Sequence, residues 1–348
     1  MTKTNPGHYF EDFRLGQVMP HATPRTITPG DVALYTAFTG SRFAVTSSDE
    51  MARAAGLPRA PVDPLLVFHM VFGKSVPDIS LNAVANLGYA DGRFGAPVFP
   101  GDTVSATSEV IGLKENSNRK TGVVYVRTTG INQRGEPVLT YVRWVMVRKR
   151  DEGAPIEAEQ VPTLPAFVQS QALSPPTGLE FSGYDFKLGG SNHAFEDYEL
   201  GERIDHVDGM AVEEAEHQMA TRLYQNTAKV HFNAFERAKD PSGQRLVYGG
   251  VVISTARALA FNGLENAGLM LAINGGRHVN PFFAGGTVFA WSQVLDKADL
   301  GVCGALRLRL VATKDRPCSD FPDKDAEGKY PAEVILDFDY WAAIPKRS

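Results

Sequence analysis

The sequence predicts an α+β fold built from two tandem copies of one unit, each a central apolar helix wrapped by an antiparallel sheet. The first observation is an internal repeat, in which HYFEDFRLGQ at residues 8–17 returns as HAFEDYELGE at residues 193–202, an offset of 185 residues. A second pair of segments is GAPVFPGDTVSATSEV at 95–110 and NPFFAGGTVFAWSQV at 280–294, whose matching prolines are 184 residues apart. Two matches at nearly one offset indicate a duplicated unit.

The repeat divides the 348 residues into two domains of ordinary size. We expect an N-terminal unit at residues 1–150 and a C-terminal unit at residues 186–348. Residues 151–185 lie between them, and the first thirty of these contain five prolines among Ser, Gln and Glu. This composition predicts an extended linker, which can cross a whole domain at roughly 3 Å per residue.

The elements follow the same order in both copies. Each begins with a helix, predicted at residues 29–38 and 213–224, and continues to an apolar helix, predicted at 65–72 and 251–261. Runs rich in β-branched and aromatic residues follow, as expected for strands. These runs are residues 122–128, 141–148, 306–310 and 334–341. One apolar helix followed by several long antiparallel strands is the arrangement of a hot-dog fold, so the duplication predicts a double hot dog.

The composition narrows the function class. The chain is 43% hydrophobic and 22% charged with a net charge of −5, which is typical of a globular protein and argues against nucleic acid or an anionic membrane as the main partner. The N-terminus has no apolar signal segment, and the longest apolar stretch, residues 64–72, is too short to cross a bilayer. We expect Cys303 and Cys318, the only cysteines, to be reduced thiols in a cytoplasmic protein.

The segment LYQNTAKVHFN at residues 223–233 carries the clearest chemical signal. It resembles the signature of the MaoC-like (hydratase 2) family of enoyl-thioester hydratases, roughly G-D-x-N-P-[LI]-H-x-D. In this alignment His231 takes the position of the catalytic histidine and Asn226 that of the aspartate. Downstream, Gly250 in VYGGVV matches the glycine whose backbone N–H holds the thioester oxygen at a helix N-terminus. The resemblance implies hydration of a CoA thioester.

The first copy has lost these groups. In TGSRFAVTSSD at residues 39–49, Ser41 aligns with the acid position and Thr46 with the histidine, while Pro64 aligns with Gly250. Proline has no N–H and cannot serve as an oxyanion donor. We therefore expect the first unit to bind substrate and CoA and the second to perform the reaction.

The chemistry explains these residue types. Addition of water to an α,β-unsaturated thioester needs a base such as His231 and a donor for the charge on the thioester oxygen. We expect no metal and no cofactor, because CoA is part of the substrate. An amide cannot act as acid or base, so either His231 makes both proton transfers, or a carboxylate from Glu216, Asp208 or Asp63 enters the site.

Other polar residues have simpler interpretations. We expect His217 and His278 to be structural, because neither falls on a motif position. The strand around Arg307 and Arg309 alternates arginine with leucine and is most simply interpreted as a solvated sheet face.

Four longer strings narrow the resemblance to members of the family that interconvert β-methylmalyl-CoA and mesaconyl-CoA. They are YTAFTGSRFAVTSSD, SLNAVANLGYADGRF, EVIGLKENSNRKTGVVYVRTTGINQRGE and YQNTAKVHFN. Such a substrate carries a free carboxylate, which a cation should meet. Arg42 and Arg257 are the candidates, and we expect Gly249 and Asp63 also to contact substrate.

Two other functions stay open at this point. A hot-dog thioesterase would hydrolyse the same ester, and a non-catalytic acyl-CoA-binding protein would only hold it. We expect an acyl-CoA substrate as the partner, and a homo-oligomer, most simply a homodimer.

Overall fold

Ten antiparallel strands form one continuous sheet in this computed structural model, which describes residues 3–156 and 158–347. The strands are β1 (Val18–Thr26), β2 (Ala83–Phe94), β3 (Thr103–Glu115), β4 (Thr121–Ile131), β5 (Pro137–Arg148), β6 (Arg203–Ala211), β7 (Leu269–His278), β8 (Thr287–Asp299), β9 (Gly304–Lys314) and β10 (Val334–Ile344). Their order is β1-β3-β4-β5-β2-β7-β10-β9-β8-β6. The five strands of each half therefore have the same order, counted from the two ends of the sheet.

The predicted helices are present, with ends shifted by up to three residues. The helices are α1 (Pro29–Thr39), α2 (Ala44–Ser47), α3 (Asp49–Ala54), α4 (Pro64–Ser75), α5 (Phe186–Gly189), α6 (Glu214–Leu223), α7 (Lys229–Phe232), α8 (Ala234–Arg237), α9 (Gly249–Leu259) and α10 (Phe261–Leu264). A π-helical turn, Val76–Ser80, extends α4. The two apolar helices α4 and α9 are buried along almost their whole length in a core that both halves share.

The halves repeat individual contacts as well as topology. A buried histidine on the first strand of each half lies within 2.8 Å of a serine on the neighbouring strand, and an arginine after the last strand pairs with the aspartate of the FED segment. These pairs are His21 with Ser108 and Arg150 with Asp12 in the first half, and His206 with Ser292 and Arg347 with Asp197 in the second. The expected α+β double hot-dog fold is confirmed.

The two halves meet at the centre of the sheet. Strand β2 pairs with β7, with Tyr89 opposite Gly276. Beside this seam the central helices touch, and His69 Nε2 lies 2.9 Å from Ser254 Oγ. A Cβ on Gly73 would lie 1.7 Å from the carbonyl oxygen of Tyr224, so only glycine permits this approach of α4 to the other half. The limits of the two domains stay a prediction, because one sheet and one core serve both.

The segment between the halves packs against the sheet. Val168 N–H donates to Asn274 Oδ1 (2.8 Å), and Trp341 Nε1–H donates to the Val168 carbonyl oxygen (2.9 Å). The Arg307 guanidinium lies 3.9 Å from the centre of the Phe167 ring. The segment therefore covers sheet surface over part of its length.

The interpretation of the arginine-rich strand as a solvated face is wrong. The side chains of Arg307 and Arg309 are only 15% exposed. Arg307 pairs with Asp339 on β10, and Arg309 pairs with Asp337 and Asp323. These aspartates neutralise the arginines. The prediction failed because the sequence of β9 alone does not show which side chains face it from neighbouring segments.

Cys303 and Cys318 are both free, as predicted, and both are buried. Burial raises the pKa of the Cys318 thiol to about 11. Among residues 3–156 and 158–347, no helix combines the length and the apolar character that a membrane crossing requires. The cytoplasmic location stays a prediction.

Candidate active site

A cavity of about 660 Å³ lies between the two halves and extends to the N-terminus of α9. Both halves line it, so neither half forms the site alone. Its lining includes Phe72, Tyr89 and Arg143 from the first half and Asn226, His231, Tyr248, Gly249 and His278 from the second. Of the residues predicted for catalysis, His231 and Asn226 lie in this cavity, and Gly250 directly follows a residue that lines it.

His231 has the geometry of a base. It lies on the short helix α7. The turn that precedes this helix is held by a hydrogen bond from Ala228 N–H to Asn226 Oδ1 (3.1 Å). His231 Nδ1 lies 2.8 Å from the carbonyl oxygen of Leu246. Because a carbonyl oxygen only accepts, Nδ1 carries the proton and Nε2 presents its lone pair. Nε2 has no protein partner in the described part of the chain.

The protein also keeps His231 neutral. Its surroundings remove it from bulk water, and the positive charge of Arg237 adds a smaller effect in the same direction. Together these effects lower its pKa to about 4, although the bond to Leu246 opposes them. At neutral pH the imidazole is therefore unprotonated and ready to accept a proton.

Asn226 contributes an unused donor. It is almost fully buried, and its Nδ2 has no acceptor among the described residues. Buried amide groups are normally paired, so this one is available to a water or a substrate in the cavity.

None of the three carboxylates suggested as substitutes lies in the cavity. Glu216 accepts from the N–H of Glu213 at the start of α6, and Asp208 is exposed on β6. Asp63 belongs to the start of α4 in the first half. The carboxylates among the lining residues are Glu236 and Asp240, on and just after α8.

The start of α9 leaves backbone donors free. Tyr248 precedes the helix without a side-chain cap, and its own N–H donates to His217 Nε2 (3.0 Å). The N–H groups of Gly249 and Gly250 are in the first turn, where no intrahelical acceptor exists, and they lie at the positive end of the helix dipole.

Close neighbours explain why both positions are glycine. A Cβ on Gly249 would lie 2.2 Å from His278 Cε1, and one on Gly250 would lie 2.3 Å from Tyr248 and 2.5 Å from His69. Gly249 borders the cavity directly, whereas Gly250 is buried one residue further along the helix.

The two histidines predicted to be structural differ. His217 accepts the Tyr248 N–H and so holds the start of α9, in agreement with a structural role. His278 instead lines the cavity, with its Nε2 3.2 Å from Tyr89 Oη, and burial with nearby His231 lowers its pKa to about 4. Its position two residues before the repeated segment 280–294 was the available signal.

The first residues of α4 and α9 correct the sequence alignment of Pro64 with Gly250 by one residue. Pro64 begins α4 as Gly249 begins α9, so Leu65 is the counterpart of Gly250. Pro64 lacks an N–H, and the Leu65 N–H donates to Asp63 Oδ1 (2.9 Å). The first two positions of α4 therefore offer no free donor, partly for a reason that the sequence alignment did not give.

Asp63 caps α4 and does not contact the cavity that holds His231. Its second oxygen accepts from Ser41 Oγ–H (3.1 Å), and burial raises its pKa. Thr46, which replaces the histidine, donates to the Phe43 carbonyl oxygen (3.1 Å).

Neither arginine predicted to meet the substrate carboxylate lies in the cavity. The Arg42 guanidinium is 4.5 Å from the centre of the Phe261 ring. Arg257 faces Phe43 at 3.7 Å and donates to the carbonyl oxygen of Ala267. The structure does not bring either residue together with His231.

Known proteins resemble the chain over its whole length. A family model described as mesaconyl-CoA hydratase matches residues 1–172. A β-methylmalyl-CoA dehydratase from Chloroflexus aurantiacus is 61% identical over 99% of both chains. A mesaconyl-CoA hydratase from Cereibacter sphaeroides is 61% identical over 99% of this chain and 100% of its own.

Two solved structures share the fold. A MaoC domain protein from Chloroflexus aurantiacus has a TM-score of 0.97 at 60% identity, with 100% of both chains covered. A Mycobacterium tuberculosis protein described as a double hot-dog fold has a TM-score of 0.76 at 25% identity, covering 97% of this chain and 98% of its own. The chain therefore belongs to the mesaconyl-CoA hydratase family of hydro-lyases.

Proposed function

We propose that the chain catalyses the reversible conversion of β-methylmalyl-CoA to mesaconyl-CoA and water, with His231 as general acid and base and the Gly250 N–H as oxyanion donor. Relatives with 61% identity bear the names of these two activities. The observation that carries the assignment is the fixed tautomer of His231, whose bond from Nδ1 to Leu246 leaves Nε2 as a lone-pair donor in a cavity.

In the hydration direction, His231 Nε2 takes a proton from a water molecule as the oxygen forms its bond to the β-carbon. The π electrons move to the thioester oxygen, and the resulting enolate is held by the free N–H groups at the start of α9. The imidazolium then returns its proton to the α-carbon on the same face, which restores neutral His231. Asn226 Nδ2–H donates to the water oxygen and orients it.

The magnitudes support this division of roles. A positioned general base contributes ~10²–10⁴ in rate, and one oxyanion donor contributes ~10²–10³. No redox step or separate cofactor enters the proposal, since CoA arrives with the substrate. The first half supplies a wall of the cavity and so serves to bind the substrate. A homodimer stays a prediction, which sedimentation would check.

The test combines two measurements on one reaction. Wild-type protein is mixed with mesaconyl-CoA, and loss of the conjugated-thioester absorbance is followed while free thiol is titrated in parallel. We expect the absorbance to fall without release of thiol. We expect His231→Gln to lose ~10²–10⁴ in kcat while it still binds the CoA ester. A matched control is His206→Gln, which removes a buried histidine of the same half that does not line the cavity.

Each alternative has its own signature in this test. Thiol release would identify a thioesterase, and binding without either signal would identify a non-catalytic binding protein. Near-normal turnover of a folded His231→Gln variant would contradict the role of His231.

A further inference from the structure

Arg143 is a buried cation without an acidic partner in the part of the chain that the structure describes. Its residue is 0% exposed on β5, and it lines the same cavity as His231 of the other half. Its hydrogen bonds go only to hydroxyl groups, from Nη2 to Ser75 Oγ (2.8 Å) and from Nη1 to Ser80 Oγ (3.4 Å). Its Nε has no acceptor among the described residues. A buried charge is stable only when it is paired, so this site is suited to an anion supplied from outside.

The surroundings hold the guanidinium rigidly. It lies 4.3 Å from the centre of the Phe72 ring. Ser75 is the last residue of α4, and Ser80 is the last residue of the π-helical turn that follows. Such turns are rare and are found often at functional sites, where they redirect side chains. The arginine is therefore fixed before any ligand arrives, which lowers the entropy lost on binding.

Other cations offer a contrast. Arg148, Lys229 and Arg237 also line the cavity, but the first two are exposed and Arg237 pairs with Asp240. Arg257 is buried to a similar degree as Arg143, yet it donates to the carbonyl oxygen of Ala267, stacks on Phe43 and does not line the cavity. Arg143 alone among these five combines deep burial, an unused donor and a position in the cavity.

We propose that Arg143 binds the free carboxylate of a dicarboxylic acyl-CoA substrate and thereby sets the preference for such substrates over monocarboxylic ones. This inference rests on the proposed function. In mesaconyl-CoA the carboxylate is attached to the β-carbon, the atom that receives the water. A substrate between the two walls presents that carbon to His231 and its carboxylate to Arg143. The planar fork of a guanidinium matches a carboxylate with two parallel hydrogen bonds.

The experiment compares two substrates that differ only at this group. Mesaconyl-CoA carries the carboxylate, and (E)-2-methylcrotonyl-CoA carries a methyl group in its place. For each variant the ratio of the two kcat/KM values is measured, because the concentration of folded enzyme cancels from the ratio. We expect Arg143→Gln to lower the ratio by about tenfold to a hundredfold, as loss of charge-assisted hydrogen bonds implies. The matched control Arg257→Gln should keep the wild-type ratio.

A second variant covers the case in which Arg143→Gln does not fold. Arg143→Tyr introduces the residue that the second half has at the corresponding place, since Arg143 precedes Trp144 as Tyr340 precedes Trp341. An unchanged ratio in either folded variant would overturn the assignment of Arg143. If the wild type hydrates neither substrate, the proposed function itself fails, and the two failures are thereby distinguished.

Discussion

The starts of the two central helices differ in one respect that supports the proposed division of roles between the halves. At the start of α4 the Asp63 carboxylate accepts the Leu65 N–H, and Pro64 has no N–H to offer. At the start of α9 no side chain caps the helix, and Gly249 and Gly250 keep their donors. The same fold thus satisfies its helix dipole internally in one half and leaves it for a substrate in the other.

A second difference concerns the buried arginines. Arg143 is on a strand and stacks on Phe72 of α4, whereas Arg257 is on α9 and lies 5.4 Å from the centre of the Tyr340 ring on a strand. Phe72 and Arg257 are 185 residues apart, the offset of the repeat. The halves have thus exchanged cation and aromatic ring between helix and strand. Only the first arrangement directs the cation into the cavity with His231.

After substitution of His231, the largest effect on turnover should come from closing the open helix start. Gly250→Pro removes the N–H of this residue. Helices tolerate proline in their first turn, so the helix itself should persist. We expect kcat to fall by ~10²–10³, the usual contribution of one oxyanion donor. The measurement is turnover of mesaconyl-CoA together with binding of the CoA ester.

Gly250→Ala is the control for crowding. Its Cβ meets Tyr248 and His69 as the proline ring would, but its N–H remains. The difference between the two variants reports the donor. Equal activity of folded Gly250→Pro and Gly250→Ala would show that the thioester oxygen is held by another group.

The second effect is on stability in acid. The structure lowers the pKa of five histidines: His69 and His217 to about 3, and His206, His231 and His278 to about 4. Below pH 6.5 these histidines become protonated in the unfolded chain but stay neutral in the folded chain. The stabilisation is therefore fully present above pH 6.5 and is lost as the pH falls towards 4, by at most on the order of 3 kcal/mol for each histidine.

The free energy of unfolding should decrease as the pH is lowered from 7 to 4.5. The slope of this decrease should correspond to several more protons bound by the unfolded than by the folded chain. His206→Gln should reduce that slope by one proton without a change in the cavity. A stability that is flat over this range would contradict the neutral state of these histidines in the folded protein. Four of the five belong to the second half, so acid should affect that half more.

Much of the fold was predictable because its signals are local. The apolar helices and the strands β4, β5, β9 and β10 are continuous runs of largely buried side chains, so their apolar composition identifies them in the sequence. Strand β2 was not predicted, although it is central. Its sequence contains Gly88, Asp91 and Gly92, which disfavour strands, and it is held by neighbours on both sides, one of them from the other half.

The site divides in the same way. His231, Asn226 and Gly250 were predicted because the segment 223–233 and the glycine downstream of it resemble a family signature. Arg143 and Tyr89 were not, because they belong to the first half and meet His231 only when the halves pack together. The cavity role of His278, which is in the same half as His231, was missed because this residue falls on no motif position. Residues on different halves share no spacing rule, so pattern alone cannot pair them.

A smaller effect is expected from restoring a carboxylate at Asn226. Asn226→Asp keeps an oxygen for the Ala228 N–H and should retain activity within about tenfold of the wild type, with a changed pH profile because a buried carboxylate titrates. Asn226→Ala removes both groups and should lose more. An inactive but folded Asn226→Asp variant would show that the amide donor itself is required.

The last prediction is that a histidine placed in the first half leaves activity unchanged. In a His231→Gln background, Thr46→His should restore no hydration, because Pro64 has no N–H, Asp63 occupies the Leu65 donor and Ser41 supplies no acid. Turnover of mesaconyl-CoA is compared between the single and the double variant at equal folded concentration. Activity above the single variant would show that the internal cap does not close the first half. Addition of Asp63→Ala then sharpens the comparison, since it frees the Leu65 N–H and tests whether that donor alone is what the first half lacks.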